Sequence, residues 1–321
     1  MEQTILLEGK RLVKEFPAKG RKKVHAVSDV DLTVYAGETL ALVGESGCGK
    51  STLGRAMINL IPLTSGAVTF EGKQISGMSP KDFAPYRRQM QLIFQDPYAS
   101  LDPRMTVRDI VAEPLMTYKL CPDKNAVTQR VLELLEAVSI PREFLYRYPH
   151  QFSGGQRQRI GIARAIALQP KLIVCDEPVS ALDISVQSQI LNLLKELQDR
   201  FDLTYLFISH DLSVVKFVAD RVAVMFLGKL CELGNISDIY TRPLHPYTRF
   251  LLDAIPKADP RLRDAEKRLL QGEIPSPIHV PSGCRFHTRC PYATDRCRTE
   301  EPPFHPVDGR MVACHIAGTE V

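Results

Sequence analysis

The sequence predicts an α/β fold carrying a helical insert and a small, irregular, cysteine-rich C-terminal domain. Three observations predict it. Four short apolar runs each end in polar residues, as buried strands leading into a ligand-facing edge do. A long stretch of helical periodicity separates the second run from the third. Composition then shifts after about Thr241.

The first run is Thr39-Leu40-Ala41-Leu42-Val43, and it leads into Gly44-Glu45-Ser46-Gly47-Cys48-Gly49-Lys50-Ser51-Thr52. Residues 44–51 fit the phosphate-loop pattern G-x-x-x-x-G-K-[ST]. Glycines let the chain turn sharply with N–H groups facing inward as an anion nest. A helix is predicted from about Lys50, because Leu53, Ala56, Met57, Leu60 and Ile61 fall on one face. Its positive end faces the phosphates. Lys50 is expected at the β/γ-phosphates and Ser51 on Mg²⁺.

The second run, Met90-Gln91-Leu92-Ile93-Phe94, closes on Gln95. Gln95 is placed to touch Mg²⁺ and the attacking water, or simply ends a strand. The third, Leu172-Ile173-Val174-Cys175-Asp176, ends in two carboxylates. Asp176 suits a Mg²⁺ shell, and Glu177 is the candidate to polarise water. The fourth, Thr204 to Ser209, ends at His210, a candidate γ-phosphate sensor or a structural strand-end histidine.

Between Gln95 and Asp176 the pattern turns helical: Val127, Val131, Leu134, Leu135 and Val138 line one face. Then comes Phe152-Ser153-Gly154-Gly155-Gln156, with Ser153 where an N-cap belongs. This is a second anion-binding helix end. One triphosphate does not need two such cradles in one subunit, so this one is expected to serve a partner subunit's γ-phosphate.

The ordered set resembles the ATP-binding cassette (ABC) ATPases over roughly residues 5–240. The resemblance implies a P-loop core, RecA-like with an N-terminal β region, over 1–96 and 157–240, and a helical signature subdomain over 97–156. It implies two cassettes closing head to tail on two ATP molecules. Gly44, Ser46, Gly47, Cys48, Gly49, Lys50, Ser51, Thr52 and Gln95 would bind ATP. Ser51, Gln95 and Asp176 would hold Mg²⁺. Glu177 and His210 would be catalytic. Ser153, Gly154, Gly155 and Gln156 would reach the partner's ATP, and Ser180 and Asp183 belong to the D-loop. Phe16 is the adenine-stacking candidate, with a core aromatic as the equal alternative. The signature opens with Phe152 where the family more often has Leu, a position expected to pack.

Composition bounds the rest. The 321 residues are 44% hydrophobic, and the net charge of +4 is too mild to argue for nucleic acid. No run approaches the roughly 18 apolar residues of a membrane helix, and no signal segment opens the chain. A soluble protein is expected, its membrane role supplied by partner subunits. Lys19-Gly20-Arg21-Lys22-Lys23 reads as a solvated loop beside the nucleotide.

The last 81 residues hold 11 of the 23 prolines, 4 of the 8 cysteines and 5 of the 8 histidines, so an irregular domain with its own stabiliser is expected over 241–321. Cys284, Cys290, Cys297 and Cys314 are spaced C-x5-C-x6-C-x16-C. By spacing alone zinc, an iron–sulfur centre and free thiols compete, and His287, His305 and His315 keep a mixed zinc site open. Cys48, Cys121, Cys175 and Cys231 are scattered and read as small fillers or loop residues.

A second resemblance covers the tail. Arg242-Pro243-Leu244-His245-Pro246-Tyr247-Thr248, Gly272-Glu273-Ile274-Pro275-Ser276-Pro277 and Gly283-Cys284-Arg285-Phe286-His287-Thr288-Arg289-Cys290-Pro291 are similar to the C-terminal extension of ATP-binding subunits of dipeptide and oligopeptide permeases. Gln95 to Arg104 resembles the same subfamily where it docks on membrane subunits. The resemblance implies a [4Fe–4S] cluster on the four cysteines, structural or sensory. It also implies a heterodimer with a second ABC ATPase, two transmembrane permease subunits and an extracytoplasmic binding protein. The expected place is the cytoplasmic face of the inner membrane. Nickel, metal-chelate or glutathione import, and a non-transport ABC ATPase with a redox-sensing tail, are the alternatives. Lys50 and Asp176 lie only 126 positions apart with no heptad array between them, which disfavours the repair type.

Overall fold

The computed structural model describes residues 4–255 and 273–318, so Gly272 of the motif above lies outside it. The chain forms two compact units: residues 1–4, 35–38 and 78–208, and residues 5–34, 39–77 and 209–321.

The second of these takes up the chain from Ile5. Strands β1 (Ile5–Pro17) and β2 (Lys23–Tyr35), with β4 (Ser65–Phe70) and β5 (Lys73–Gln74), form a four-stranded sheet in the order β2-β1-β4-β5. Strand β3 (Thr39–Val43) is buried along its whole length, so apolar residues occupy both of its faces. Helix α1 (Lys50–Met57) follows the phosphate loop. It buries Leu53, Ala56 and Met57 but stops before the predicted face is complete: Asn59 takes φ 54° and Leu60 is exposed. Asn tolerates the left-handed turn that ends a helix, and periodicity alone does not register that stop.

The first unit takes residues 78–208. Helix α2 (Pro80–Gln89) leads to β6 (Met90–Ile93), then α3 (Val107–Thr117), α4 (Lys124–Ala137) and α5 (Gly154–Ile166). Val127, Val131, Leu134, Leu135 and Val138 are all buried. Strand β7 (Leu172–Asp176), helix α6 (Ile184–Phe201) and strand β8 (Thr204–Ser209) complete it. β6, β7 and β8 are parallel neighbours, with Ile93 beside Cys175 and Asp176 beside Ile208. Their C-terminal ends therefore open on one edge.

The chain then returns to the unit that holds β3. α7 (Leu212–Val218) precedes β9 (Arg221–Phe226), which runs parallel to β3, and β10 (Lys229–Asn235), which is antiparallel to β9. α8 (Ile236–Thr241) and α9 (Pro246–Asp253) follow, then α10 (Asp295–Thr299), β11 (His305–Val307) and β12 (Arg310–Val312). β12 pairs antiparallel with β10. Residues 209–321 lie in one unit, and β11 and β12 join the sheet that contains β10. Among the described residues no helix is long and apolar enough to cross a membrane.

Candidate nucleotide site

The phosphate loop is a tight turn held from several sides. Gly44 has φ 152°, and a Cβ there would lie 2.1 Å from the Met225 carbonyl oxygen; at Gly49, with φ 107°, it would lie 2.0 Å from that of Ala26. Only glycine lets the loop sit this close to its neighbours. Gly49 also starts α1 as its N-cap. Lys50 is 4% exposed, and its Nζ donates to the carbonyl oxygens of Gly44 at 2.8 Å and Glu45 at 3.1 Å. The ammonium thus sits inside the loop, ringed by main chain. Burial pushes the Cys48 thiol up, keeping it neutral in the loop interior.

Glu45 ties the loop to the C-terminal region. Its N–H donates to the Tyr247 hydroxyl at 2.9 Å. Its carboxylate accepts both terminal nitrogens of Arg289, at 2.7 Å and 3.1 Å. Sequence reasoning missed these partners, since no local pattern joins residues 244 positions apart.

In the other unit, Gln95 lies just past β6 and Asp176 ends β7, where it is fully buried. Glu177 follows with φ 47°, an uncommon conformation for a non-glycine residue. Its N–H donates to the Ile208 carbonyl at 3.0 Å, and its Oε2 accepts from Gln95 Nε2 at 3.0 Å. The ends of neighbouring strands therefore bring these two side chains together.

Ser153 caps α5: its hydroxyl accepts from Gln156 N–H at 3.3 Å, while Gln156 Oε1 accepts from Ser153 N–H at 3.1 Å. This capping box leaves the glycine N–H groups of the first turn at the helix end. Both glycines also pack closely. A Cβ on Gly154 would meet Leu182 at 3.2 Å, and on Gly155 would meet Val186 at 2.4 Å. Phe152 is buried, edge-on to Phe144 with centroids 5.5 Å apart. The Arg157 guanidinium lies 3.6 Å from the ring centroid of Tyr98, joining the segment after Gln95 to the signature helix.

Ser180 hydrogen-bonds the Glu177 carbonyl through its hydroxyl at 3.1 Å. Asp183 caps α6, accepting from Val186 N–H at 2.9 Å and the Ser185 hydroxyl at 2.7 Å. The Ser185 bond, then that of Val186, hold its carboxyl below the usual range. His210 is exposed just after β8, and Asp211 caps α7. Phe16, 37% exposed, lies near the end of β1 with Lys14 Nζ 4.8 Å from its ring centroid. Ser46 and Gly47 are exposed, and Ser51 and Thr52 lie half-buried in the first turn of α1. Lys19–Arg21 forms an exposed 3-10 turn, and Lys23 pairs with Glu15 at 2.5 Å.

The tail cysteines act on one another's ionisation. Burial first, then the neighbouring thiols, push Cys284 up to about 12 and Cys290 up to about 11; Cys314 is raised in the same way. Cys284 N–H donates to the Cys297 carbonyl at 2.9 Å. Among the described residues, no group of three or more His, Cys, Asp or Glu side chains is placed to hold a metal ion.

Comparison with known proteins agrees with this geometry. Residues 27–180 match the family described as ABC transporter, and residues 231–297 that described as oligopeptide/dipeptide transporter, C-terminal region. The putative oligopeptide transport ATP-binding protein YkfD of Bacillus subtilis (strain 168) is 52% identical over 318 residues, covering 98% of this chain and 97% of that protein. The oligopeptide transport ATP-binding protein OppF of Escherichia coli (strain K12) is 51% identical over 294 residues, covering 91% of this chain and 88% of that one. Among solved structures, a dimeric ATP-binding cassette in a post-hydrolysis state bound to ADP and Pi superposes with TM-score 0.66 at 29% identity, covering 72% of this chain and 99% of that one.

Proposed function

Because the chain belongs to the family of ATP-binding subunits of ABC-type oligopeptide and dipeptide transporters, we propose that it hydrolyses ATP to drive import of dipeptides or oligopeptides. The observation that carries this reading is the pairing of a complete nucleotide-binding motif set with a tail that matches the peptide-transporter C-terminal region. The tail match and the names of the relatives support a peptide cargo over nickel, metal-chelate or glutathione import.

The residue roles are part of the same proposal. Lys50 exchanges the carbonyls of its own loop for the β- and γ-phosphate oxygens. Ser51, Asp176 and Gln95 hold Mg²⁺, which neutralises phosphate charge when bound. Glu177 orients and deprotonates the attacking water, while Gln95 fixes its carboxylate by the 3.0 Å hydrogen bond. His210 contacts the γ-phosphate. Gly44, Ser46, Gly47, Cys48, Gly49 and Thr52 complete the cradle, and Phe16 stacks on adenine. Ser153, Gly154, Gly155 and Gln156 close on the partner subunit's ATP, with Ser180 and Asp183 at the same interface. The partners are a second ABC ATPase subunit, two permease subunits and a substrate-binding protein. The chain works peripherally on the cytoplasmic face of the inner membrane.

The boundaries 1–96 with 157–240, 97–156 and 241–321 remain a functional division within this proposal. We also propose a [4Fe–4S] cluster on Cys284, Cys290, Cys297 and Cys314. The donor set is all sulfur, and the thiols are near enough to act on one another's ionisation. The described residues hold no group of three or more His, Cys, Asp or Glu placed for a metal ion, so the cluster rests on the resemblance of the tail and on its all-sulfur donor set. When bound it supplies a covalent cross-link to an irregular segment. Protein purified without oxygen should carry about four irons and four acid-labile sulfides per chain, lost in Cys284→Ser. Stoichiometric zinc, or no metal, refutes the cluster and leaves the ATPase reading intact.

The transport reading is tested by uptake of a labelled tripeptide in cells lacking the native gene. The wild-type gene should restore uptake and Lys50→Ala should not. Full uptake with Lys50→Ala refutes it.

A further inference from the structure

The C-terminal region touches the phosphate loop with two side chains, and both contacts end on Glu45. Glu45 sits one residue into the G-x-x-x-x-G-K-S loop, where a carboxylate opposes a triphosphate. Its charge is not left to solvent. Arg289 is 5% exposed at the side chain and grips both carboxylate oxygens, at 2.7 Å and 3.1 Å. Such a fork is the geometry a guanidinium makes and an ammonium does not. On the main-chain side, the Tyr247 hydroxyl accepts from the Glu45 N–H at 2.9 Å.

Both residues are anchored behind the loop. Phe286 is 1% exposed and packs against Phe226, Tyr247 and Phe250, with centroids 5.3, 5.2 and 6.2 Å apart. Phe226 meets Tyr247 edge-on at 4.8 Å, and the Arg289 guanidinium lies 5.9 Å from the Phe226 ring centroid. Arg285 donates to the Leu227 carbonyl in the turn before β10, and Gly228 N–H in that turn donates to the Cys48 carbonyl of the loop at 2.8 Å. The loop therefore rests on a turn that the cysteine-rich segment supports.

We propose that Arg289 and Tyr247 are positioning residues for ATP binding: Arg289 neutralises the Glu45 carboxylate and, with Tyr247, holds the phosphate loop open to the triphosphate. This rests on the phosphate-loop reading above and adds the tail to the site. The acid does not serve phosphate directly. It gives the loop a handle that the tail can grip, and the handle becomes a repulsive charge once the grip is lost. The pair therefore makes a specific demand: removing the guanidinium harms nucleotide binding more than removing both charges.

The test is titration of the purified full-length chain with a fluorescent ATP analogue, together with steady-state ATPase kinetics. Arg289→Met should raise the ATP Kd and KM by about tenfold or more, with kcat within about threefold of wild type, as for loss of uniform binding. Arg289→Lys should fall between, keeping charge but not the fork. The double variant Glu45→Gln/Arg289→Met should return to within about threefold of wild type. Tyr247→Phe should weaken binding about threefold to tenfold. Wild-type Kd in Arg289→Met overturns the proposal. So does equal weakness of the single and double variants, which marks a merely structural arginine. If Arg289→Met does not fold, the folded double variant alone decides: near-wild-type Kd supports the proposal, and Kd raised tenfold overturns it. Lys50→Ala separates the two levels. If it binds ATP like wild type, the phosphate-loop reading fails; if it loses binding while Arg289→Met keeps it, only this inference fails.

Discussion

Glu177 accepts a hydrogen bond from Gln95, Nε2 to Oε2 at 3.0 Å, although 82 positions separate the two residues. The contact exists because β6 and β7 are parallel neighbours in register, Ile93 beside Cys175, so the residues that follow them emerge side by side. Glu177 takes φ 47° there. A non-glycine residue in that region costs on the order of 1 kcal/mol or more, and the N–H bond to Ile208 helps to hold it.

Glu177→Gln keeps the shape and a hydrogen bond to Gln95 but removes the base. ATP binding should persist while hydrolysis falls roughly 10²- to 10⁴-fold. Phosphate release measured beside nucleotide binding checks this, and hydrolysis at the wild-type rate would remove Glu177 from the chemistry.

Gly155→Ala pushes a methyl to within 2.4 Å of Val186 on α6. Val is stiff at χ1, so the clash is relieved only by moving a helix. A loss of about 1–3 kcal/mol is expected from overpacking, read as a lower urea midpoint. Val186→Ala added to Gly155→Ala should recover most of it. Were the double variant no more stable than the single, the two helices would not meet as described.

His245 sets an acid limit on stability. Burial first, and the nearby Arg249 charge second, lower its pKa to about 3. Its Nδ1 accepts from the Tyr247 N–H at 3.0 Å, which requires the neutral ring. The folded pKa lies below the unfolded value of about 6.5, so as pH falls the unfolded chain takes a proton that the folded chain refuses. Its contribution is therefore present in full above about pH 6.5 and is lost as pH falls toward 3. Between pH 7.5 and 5.5 it should cost about 1.4 kcal/mol. Comparison of urea midpoints at those two pH values for wild type and His245→Asn isolates it, because the variant should lose that increment of acid sensitivity while other groups titrate alike.

The parts legible in the sequence were those encoded over a few residues. The strands at Thr39–Val43 and Leu172–Asp176, the phosphate loop and the Ser153 cap each carry their own spacing or residue type. The early end of α1 was not legible, because apolar residues continue past Asn59 with the same period. Nor were the grip of Arg289 on Glu45 or the fit of Gly155 against Val186, which arise only when distant segments pack. Strand β12 is three residues long, too short for alternation to announce it. That is why the joining of the proline-rich tail to the sheet was not legible.

The pairing of β12 with β10 has a practical meaning for anyone who trims this chain. A protein cut after Thr241 would bare the flank of β10, a row of unpaired main-chain groups that invites a neighbouring molecule to add a strand. It would also strand Glu232. That carboxylate is 0% exposed, accepts from the N–H groups of Leu244 and His245, and lies 3.6 Å from Arg310, all contributed by the removed part. The shortened protein should precipitate or oligomerise rather than behave as a minimal cassette, so the tail sets the smallest usable length of this polypeptide.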